Sequence, residues 1–203
     1  MSTFSKGALL HIDFSFWDVI SHRGFTSMLM IVDARTIMLW IFCIPNKWPP
    51  LDILRYFLSM LHKENINAHG IWVDEDGAFA HSTDFTEFFK IEAKVTLEAT
   101  SGYASFLNGK VECHIHTLAN MVHAMLKNSG HNKNKWCFAA ETAANIYCSI
   151  LHSANDTSPF YAWYKIHPSI YDYWVLRCTI DIKDHDLKKS EDRTISGYNM
   201  GFT

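Results

Sequence analysis

The chain lacks several features that mark secreted, membrane and zinc-binding proteins. Its five cysteines are scattered and never occur as C-x-x-C, so the sequence encodes no zinc knuckle or finger. No segment approaches the ~18 uninterrupted apolar residues of a membrane span, and the first residues lack the apolar run of a signal peptide. We therefore expect reduced thiols, no membrane and a location in the nucleus or the cytoplasm.

A strong excess of one charge is also missing. The formal net charge is −3, which is far from the basic balance of a dedicated DNA-binding domain. Apolar residues make up 48% and aromatic residues 14% of the 203 residues, which is enough to build the core of one medium-sized domain. Any role with nucleic acid must therefore depend on local basic patches.

Apolar periodicity predicts a mixture of strands and helices. Strands are predicted over residues 8–17, 26–32, 36–43, 69–74 and 94–97. Helices are predicted over residues 49–61, 83–89, 109–127 and 134–151, with a mobile loop over 99–107. The order β-β-β-α-β-α-β-α-α favours an α/β, RNase H-like fold with a mixed five-stranded sheet flanked by helices.

Three acidic residues occupy positions that suggest a metal site. Asp13 follows the apolar run of the first strand, Asp74 closes the fourth strand, and Glu112 lies near the start of a long helix. Magnesium prefers hard oxygen ligands and needs few of them from the protein, so three carboxylates suffice. A pair of such ions can support phosphodiester chemistry, so the pattern predicts a protein that cuts or joins nucleic acid.

Two other aspartates compete with these assignments. Asp76 lies two residues after Asp74, in the acidic turn Asp74–Gly77, and is a rival second ligand. Asp33 also ends an apolar strand, where it either forms a turn or has a direct role. The strand end favours Asp74, and the choice at Asp33 stays open.

Seven segments, in the same order, resemble the elements of one family. They are Leu10–Asp13, Met30–Asp33, Val73–Phe79, Thr100–Glu112, Trp136–Ala143, Ser158–Trp163 and Asp192–Phe202. Thr100–Glu112, for example, is similar to the element S-A-P-Y-T-P-Q-Q-N-G-V-A-E. Together these segments resemble the retroviral-type integrase catalytic core in its copia-retrotransposon form, over nearly the whole chain.

The resemblance implies both an activity and a domain organisation. Asp13, Asp74 and Glu112 would be the catalytic triad that binds two Mg²⁺ or Mn²⁺ ions for 3′-end processing and strand transfer. The partners would be element and target DNA and further copies of the chain, at least a dimer, with no small-molecule cofactor. Residues 1–168 would form the catalytic core, and residues 169–203 would begin a small SH3-like β module.

Several side chains around the triad are candidates for contact with DNA. The predicted set is Tyr103, Asn108, Lys110, His114, His116 and Lys127. With Lys133 and Lys135, the basic members either grip phosphates or form a solvated helix face. His116 lies four residues after Glu112, a spacing seen in metal sites, but a hard-ion site does not need imidazole. The aromatic residues Trp136, Phe138, Tyr147, Trp163 and Tyr164 are expected in the core rather than as stacking platforms.

The chain also departs from the family pattern at polar positions. Cys113 stands where family members usually carry Arg, and Gly102 replaces the proline of the loop. Two alternatives to an integrase therefore stay open: a nuclease that hydrolyses DNA without joining it, and a decayed remnant that only binds DNA or protein.

Overall fold

A computed structural model gives the fold, and it describes residues 4–46, 50–74, 82–100, 105–152, 156–169, 171, 173–183 and 194–201. For Asp74, 98–100, 105–110, 181–183, 194 and 195 only the backbone is described. In chain order, the strands of the main sheet are β1 (Leu9–Phe16), β2 (Ser27–Asp33), β3 (Leu39–Ile44), β4 (Gly70–Asp74) and β5 (Thr96–Thr100). The helices are α1 (Leu51–Lys63), α2 (Thr83–Glu87), α3 (Ser105–Ser129), α4 (Trp136–Ser149) and α5 (Pro159–Tyr164).

The five strands form one mixed sheet in the order β3-β2-β1-β4-β5. The strands β1 to β3 form an antiparallel meander, and β4 and β5 run parallel to β1. Every residue of β2 is buried, because this strand has a neighbour on each side and helices over both faces of the sheet. The predicted five-stranded mixed sheet flanked by helices is confirmed.

Helices cover the two faces of the sheet. On one face, α1 turns its apolar stripe of Leu54, Phe57 and Leu61 towards β3, where the rings of Trp40 and Phe57 lie 5.0 Å apart. On the other face, α3 and α4 pack against each other, and α4 also packs against β3. All four alanines of α4 are buried, which permits this close approach.

Two predicted strand boundaries differ from those in the structure. The predicted strand over 36–43 begins only at Leu39, because Asp33 and Thr36 form a turn and Ile37 adopts a positive φ of 62°. The predicted strand over 94–97 moves to Thr96–Thr100, because Lys94 is left-handed at φ 54° and ends a wide helical turn over Phe88–Ala93. Both shifts come from local positive-φ residues that apolar periodicity does not detect.

The predicted mobile loop over 99–107 is wrong at both of its ends. Ala99 and Thr100 belong to β5, where they pair with β4, and Ser105 begins α3. The helix therefore starts earlier than the predicted residue 109, and Glu112 lies two turns inside it rather than in its first turn. Residues 101–104 lie outside the described part of the chain.

A second, two-stranded sheet follows the core. It consists of β6 (Thr179–Lys183) and β7 (Thr194–Tyr198), which pair antiparallel. The preceding segment contacts α4, because the Tyr173 hydroxyl lies 2.5 Å from Ser149 Oγ. The predicted division into a core over residues 1–168 and the start of a small SH3-like β module over residues 169–203 stays a prediction.

Candidate active site

The first predicted ligand, Asp13, lies in the middle of β1 with its side chain half-buried. Its Oδ1 accepts a hydrogen bond of 2.7 Å from the amide of Phe14. Ionic groups within a strand are costly to bury unless they are paired or bind a cation. Asp13 follows the four buried residues Leu9–Ile12, at the point where β1 becomes partly exposed.

The second predicted ligand, Asp74, is the last residue of β4, directly beside β1. The parallel register pairs Leu9 with Gly70 and His11 with Trp72, and the rings of this second pair are 5.2 Å apart. Asp13 and Asp74 each lie two residues beyond the last registered pair. Neighbouring strands are about 4.8 Å apart, so the backbone brings these two positions close together, level with the C-terminal end of β4.

The face of β1 that carries Asp13 is covered by helices. The strand pairing continues to Trp17, whose amide donates to the Thr26 carbonyl at 3.0 Å, so Asp13 and Trp17 point to the same face. The Trp17 ring stacks on Trp136 of α4 at 4.9 Å and lies 5.5 Å from the ring of His123 in α3. Asp13 therefore faces the layer formed by α3 and α4.

The directions of the two helices follow from their contacts. Helix α4 begins at Trp136, beside Trp17, and near its end Cys148 Sγ donates to the Leu39 carbonyl at 3.5 Å. Across β2, Leu39 lies level with His11, near the start of β1. Helix α4 thus runs antiparallel to β1.

Helix α3 runs in the opposite direction to α4. Its His123 lies at Trp17, near the start of α4, whereas its His114 meets Tyr147 near the end of α4, with 2.7 Å between His114 Nδ1 and the Tyr147 hydroxyl. Since α4 is antiparallel to β1, α3 runs parallel to β1. Distances measured along α3 and along β1 can therefore be compared directly.

Glu112 lies level with Asp13 along the direction of β1. Glu112 precedes His123 by eleven residues, or three helical turns, so both lie on nearly the same stripe of α3, and Glu112 is about 16 Å nearer the helix start. Asp13 precedes Trp17 by about 13 Å along β1. The three predicted acidic positions therefore lie at similar heights along β1, and Glu112 is exposed on the stripe of α3 that also carries His123.

The chain matches no sequence-family model and no curated relative, but solved structures share its architecture. The catalytic core of HTLV-2 integrase, solved with magnesium in a trimeric form, aligns with a TM-score of 0.56 at 13% identity over 76% of this chain and 94% of that one. The catalytic core of BIV integrase aligns with a TM-score of 0.57 at 14% identity over 78% of this chain and 95% of that one. The chain has the fold of an integrase catalytic core. The predicted RNase H-like class is thereby confirmed.

Within this integrase-core fold, His114 and His116 differ in their surroundings. His114 is half-buried and bonded to Tyr147, a buried residue whose ring also packs against His152 at 4.2 Å. Burial raises the pKa of Tyr147 to about 12, so its hydroxyl keeps its proton and can donate it to His114. His116 is exposed, one turn after Glu112. Sequence reasoning missed the His114–Tyr147 pair, which connects residues 33 positions apart.

Asp33 is excluded from the site by its contacts. It is 1% exposed and accepts hydrogen bonds from the Gly7 amide at 2.8 Å and from the Thr36 amide and hydroxyl, each at 2.7 Å. Burial raises the pKa of its carboxyl, against the lowering effect of these bonds. Of the two roles left open for Asp33, the structure supports the turn former.

The structure describes the remaining predicted residues unequally. Lys127 is exposed near the end of α3, whereas for Asn108 and Lys110 only the backbone, within α3, is described. Tyr103 and Asp76 lie outside the described residues. Among the described side chains no three His, Cys, Asp or Glu residues form a group that could hold a metal ion; the side chain of Asp74 is not among those described.

Two properties expected outside the site can also be compared with the structure. Trp136, Trp163 and Tyr147 are buried, as expected, while Phe138 is half-buried and Tyr164 is 37% exposed. No helix in the described part of the chain is long and apolar enough to cross a membrane.

Proposed function

We propose that the protein is a metal-dependent polynucleotidyl transferase, the integrase of a copia-like retrotransposon. The observation that carries the proposal is the common height of Asp13, the end of β4 and Glu112. The integrase-core fold supports the same chemistry. The substrate is DNA, both element ends and target, and the active form contains two or more copies of the chain.

The donor set fits divalent metal ions. Asp13, Asp74 and Glu112 would hold Mg²⁺ or Mn²⁺, because carboxylate oxygens are the ligands that these hard ions prefer. Such ions would supply Lewis-acid chemistry, lowering the pKa of a water or a 3′-hydroxyl and stabilising negative charge on the leaving oxygen of a phosphodiester. Zinc is not proposed, because His116 is the only imidazole on the Glu112 stripe within one turn of that carboxylate.

The other predicted side chains position the DNA. His116 is exposed one turn after Glu112 and can donate to phosphate oxygens near the acidic positions. Lys127 is also exposed, but it lies about 22 Å further along α3, so it can contact DNA only away from them. His114 lies about 200° around α3 from Glu112 and is bonded to Tyr147 of α4, so its predicted contact with DNA is not part of the acidic site. Tyr103, Asn108 and Lys110 stay predicted contacts to DNA.

The experiment is a paired hydrolysis and strand-transfer assay with Mn²⁺ and labelled oligonucleotides that carry the element ends. Glu112→Gln removes one ligand charge and is expected to lower both activities by at least about 100-fold. The matched control is Glu87→Gln, which changes an exposed helical glutamate of α2. Equal activity of Glu112→Gln and wild type would contradict the proposal, and hydrolysis without joining would make the protein a nuclease.

A second candidate function, a remnant that binds DNA without catalysis, is favoured by one feature of the site. Cys113 is exposed directly after Glu112, where the family usually carries Arg. A missing cation here weakens the grip on phosphate. If catalysis is only weakened, Cys113→Arg should raise strand transfer several-fold, whereas a remnant would gain DNA affinity but no activity.

A further inference from the structure

Five lysine and arginine side chains, with His131, gather where α3 passes into α4. We call them the basic cluster: Arg23, Lys127, His131, Lys133, Lys135 and Arg177. Arg23 and Lys135 both lie over the Phe138 ring, at 4.2 and 5.8 Å, which places them on the same side of α4. Glu141, which pairs with Arg23 at 2.8 Å, brings one carboxylate to the cluster. Such an excess of cations is notable in a chain with a net charge of −3.

The segment after the core completes the basic cluster. Arg177 Nη1 donates to the Ser129 carbonyl at 2.8 Å, so the guanidinium is fixed against the last turn of α3. The same guanidinium lies 5.7 Å from the ring centroid of Tyr198 in β7. This contact joins residues far apart in sequence into one surface, which the periodicity of the sequence does not predict.

The pKa of His131 reflects the charges around it in the basic cluster. Burial, and then the charges of Arg177 and Lys135, lower the pKa of its imidazole. Its Nε2 is buried and has no hydrogen-bond partner among the described residues. Arg177 and Lys135 therefore act on the same imidazole, and an anion bound beside it would be stabilised by both charges.

Exposed aromatic rings border the basic cluster. Tyr198 is 60% exposed although it packs on Arg177, and Trp174 is 66% exposed. The Asn199 side chain donates to the carbonyls of Trp174 and Val175, at 3.2 and 3.3 Å, and so ties the two aromatic segments together. Flat exposed rings beside cations are the features of surfaces that bind single strands, where bases stack and phosphates pair with charges.

We propose that the basic cluster, with Tyr198 and Trp174, is a second nucleic-acid site that binds single-stranded DNA or RNA. The choice of nucleic acid over an acidic peptide follows from the exposed rings, and it also rests on the proposed function. The site is separate from the acidic positions, because Lys127 lies about 22 Å along α3 from Glu112. It holds a strand away from the reacting phosphodiester.

The test measures the anisotropy of a labelled oligo-dT in EDTA, over a range of salt concentrations. Lys127→Glu combined with Lys133→Glu is expected to weaken binding at least tenfold and to lower the salt slope by about two. The control combines Lys63→Glu with Lys90→Glu, which changes two exposed lysines near α1, and should stay within about twofold of wild type. Tyr198→Ala should weaken binding to the single strand at least about fivefold, with unchanged circular dichroism.

Two results would overturn the proposal. One is equal loss of affinity in the test and control variants, which would mean that only total charge matters. The other is a polyglutamate peptide that binds as tightly and depends on the same lysines, which would make the surface a protein site. Asp13→Asn should bind oligo-dT normally in EDTA, so failure of the catalytic proposal can be distinguished from failure of this one.

Discussion

Asp13 and Asp33 provide a test in which two similar sequence positions should behave in opposite ways. Asp13 follows an apolar run in β1, and Asp33 follows one in the neighbouring strand β2. Asp33 is buried and accepts three hydrogen bonds, from Gly7 and Thr36. Asp33→Ala leaves three buried donors without an acceptor, at a cost of about 1 kcal/mol each, or about 3 kcal/mol in total. For a domain of this size that lowers the Tm by about 6–12 °C.

Asp13→Asn should have the reverse profile. Its side chain is half-buried, and an asparagine oxygen can still accept from Phe14, so we expect a change in stability of less than about 1 kcal/mol. Binding of Mn²⁺ should be lost in Asp13→Asn and kept in Asp33→Ala. Differential scanning calorimetry and metal titration of both variants measure the two effects. A stable Asp33→Ala would contradict the structural role of Asp33, and an Asp13→Asn that binds Mn²⁺ normally would contradict the role of Asp13 as a metal ligand.

The pKa of Asp33 adds a pH dependence to this prediction. Its pKa is raised in the folded protein, so the folded state binds its proton more readily than the unfolded state. The corresponding stability is fully present below the unfolded pKa of about 3.9 and is lost as the pH rises through the folded pKa. The penalty of Asp33→Ala should therefore be larger at pH 4 than at pH 7. A penalty that grows with pH would contradict this assignment.

Three further predictions concern packing and charge. Trp136→Phe removes the Nε1 bond to the Val19 carbonyl and part of a fully buried ring, and should cost about 2 kcal/mol in denaturant unfolding. Tyr147→Phe removes the bond to His114 and should cost about 1 kcal/mol in the same measurement; no loss would argue against that bond. The pKa of His131 is lowered, so its stability contribution is present above the unfolded pKa of about 6.5 and is lost as the pH falls through the folded value. Between pH 7.5 and 5, wild type should therefore lose more stability than His131→Gln.

Much of the fold could be predicted because the sheet is strongly patterned. A central strand such as Ser27–Asp33, apolar from Met28 to Val32, is compatible with few positions other than the middle of a covered sheet. The boundaries that failed, at Ile37 and Lys94, depend on single residues with positive φ. Such conformations are fixed by neighbouring hydrogen bonds rather than by residue type.

The candidate site could be predicted only in part, because contacts that decide roles are distant in sequence. Asp33 differs from Asp13 because its carboxyl accepts a hydrogen bond from the amide of Gly7, which precedes β1 and is 26 residues away in sequence. Likewise, Arg177 joins the end of α3 only after the chain has passed through α4 and α5. Motif order indicated the acidic positions, but no local pattern indicated these tertiary partners.

The most direct test of the central claim is a calorimetric titration of Mn²⁺ into wild type, Asp74→Asn and Asp84→Asn. Asp74→Asn preserves the shape of the side chain but removes one ligand charge, while Asp84 is an exposed aspartate of α2 and serves as the control. Wild type and Asp84→Asn should bind Mn²⁺, and Asp74→Asn should lose at least tenfold in affinity. No binding to wild type, or equal binding to all three proteins, would contradict a metal site at Asp13, Asp74 and Glu112.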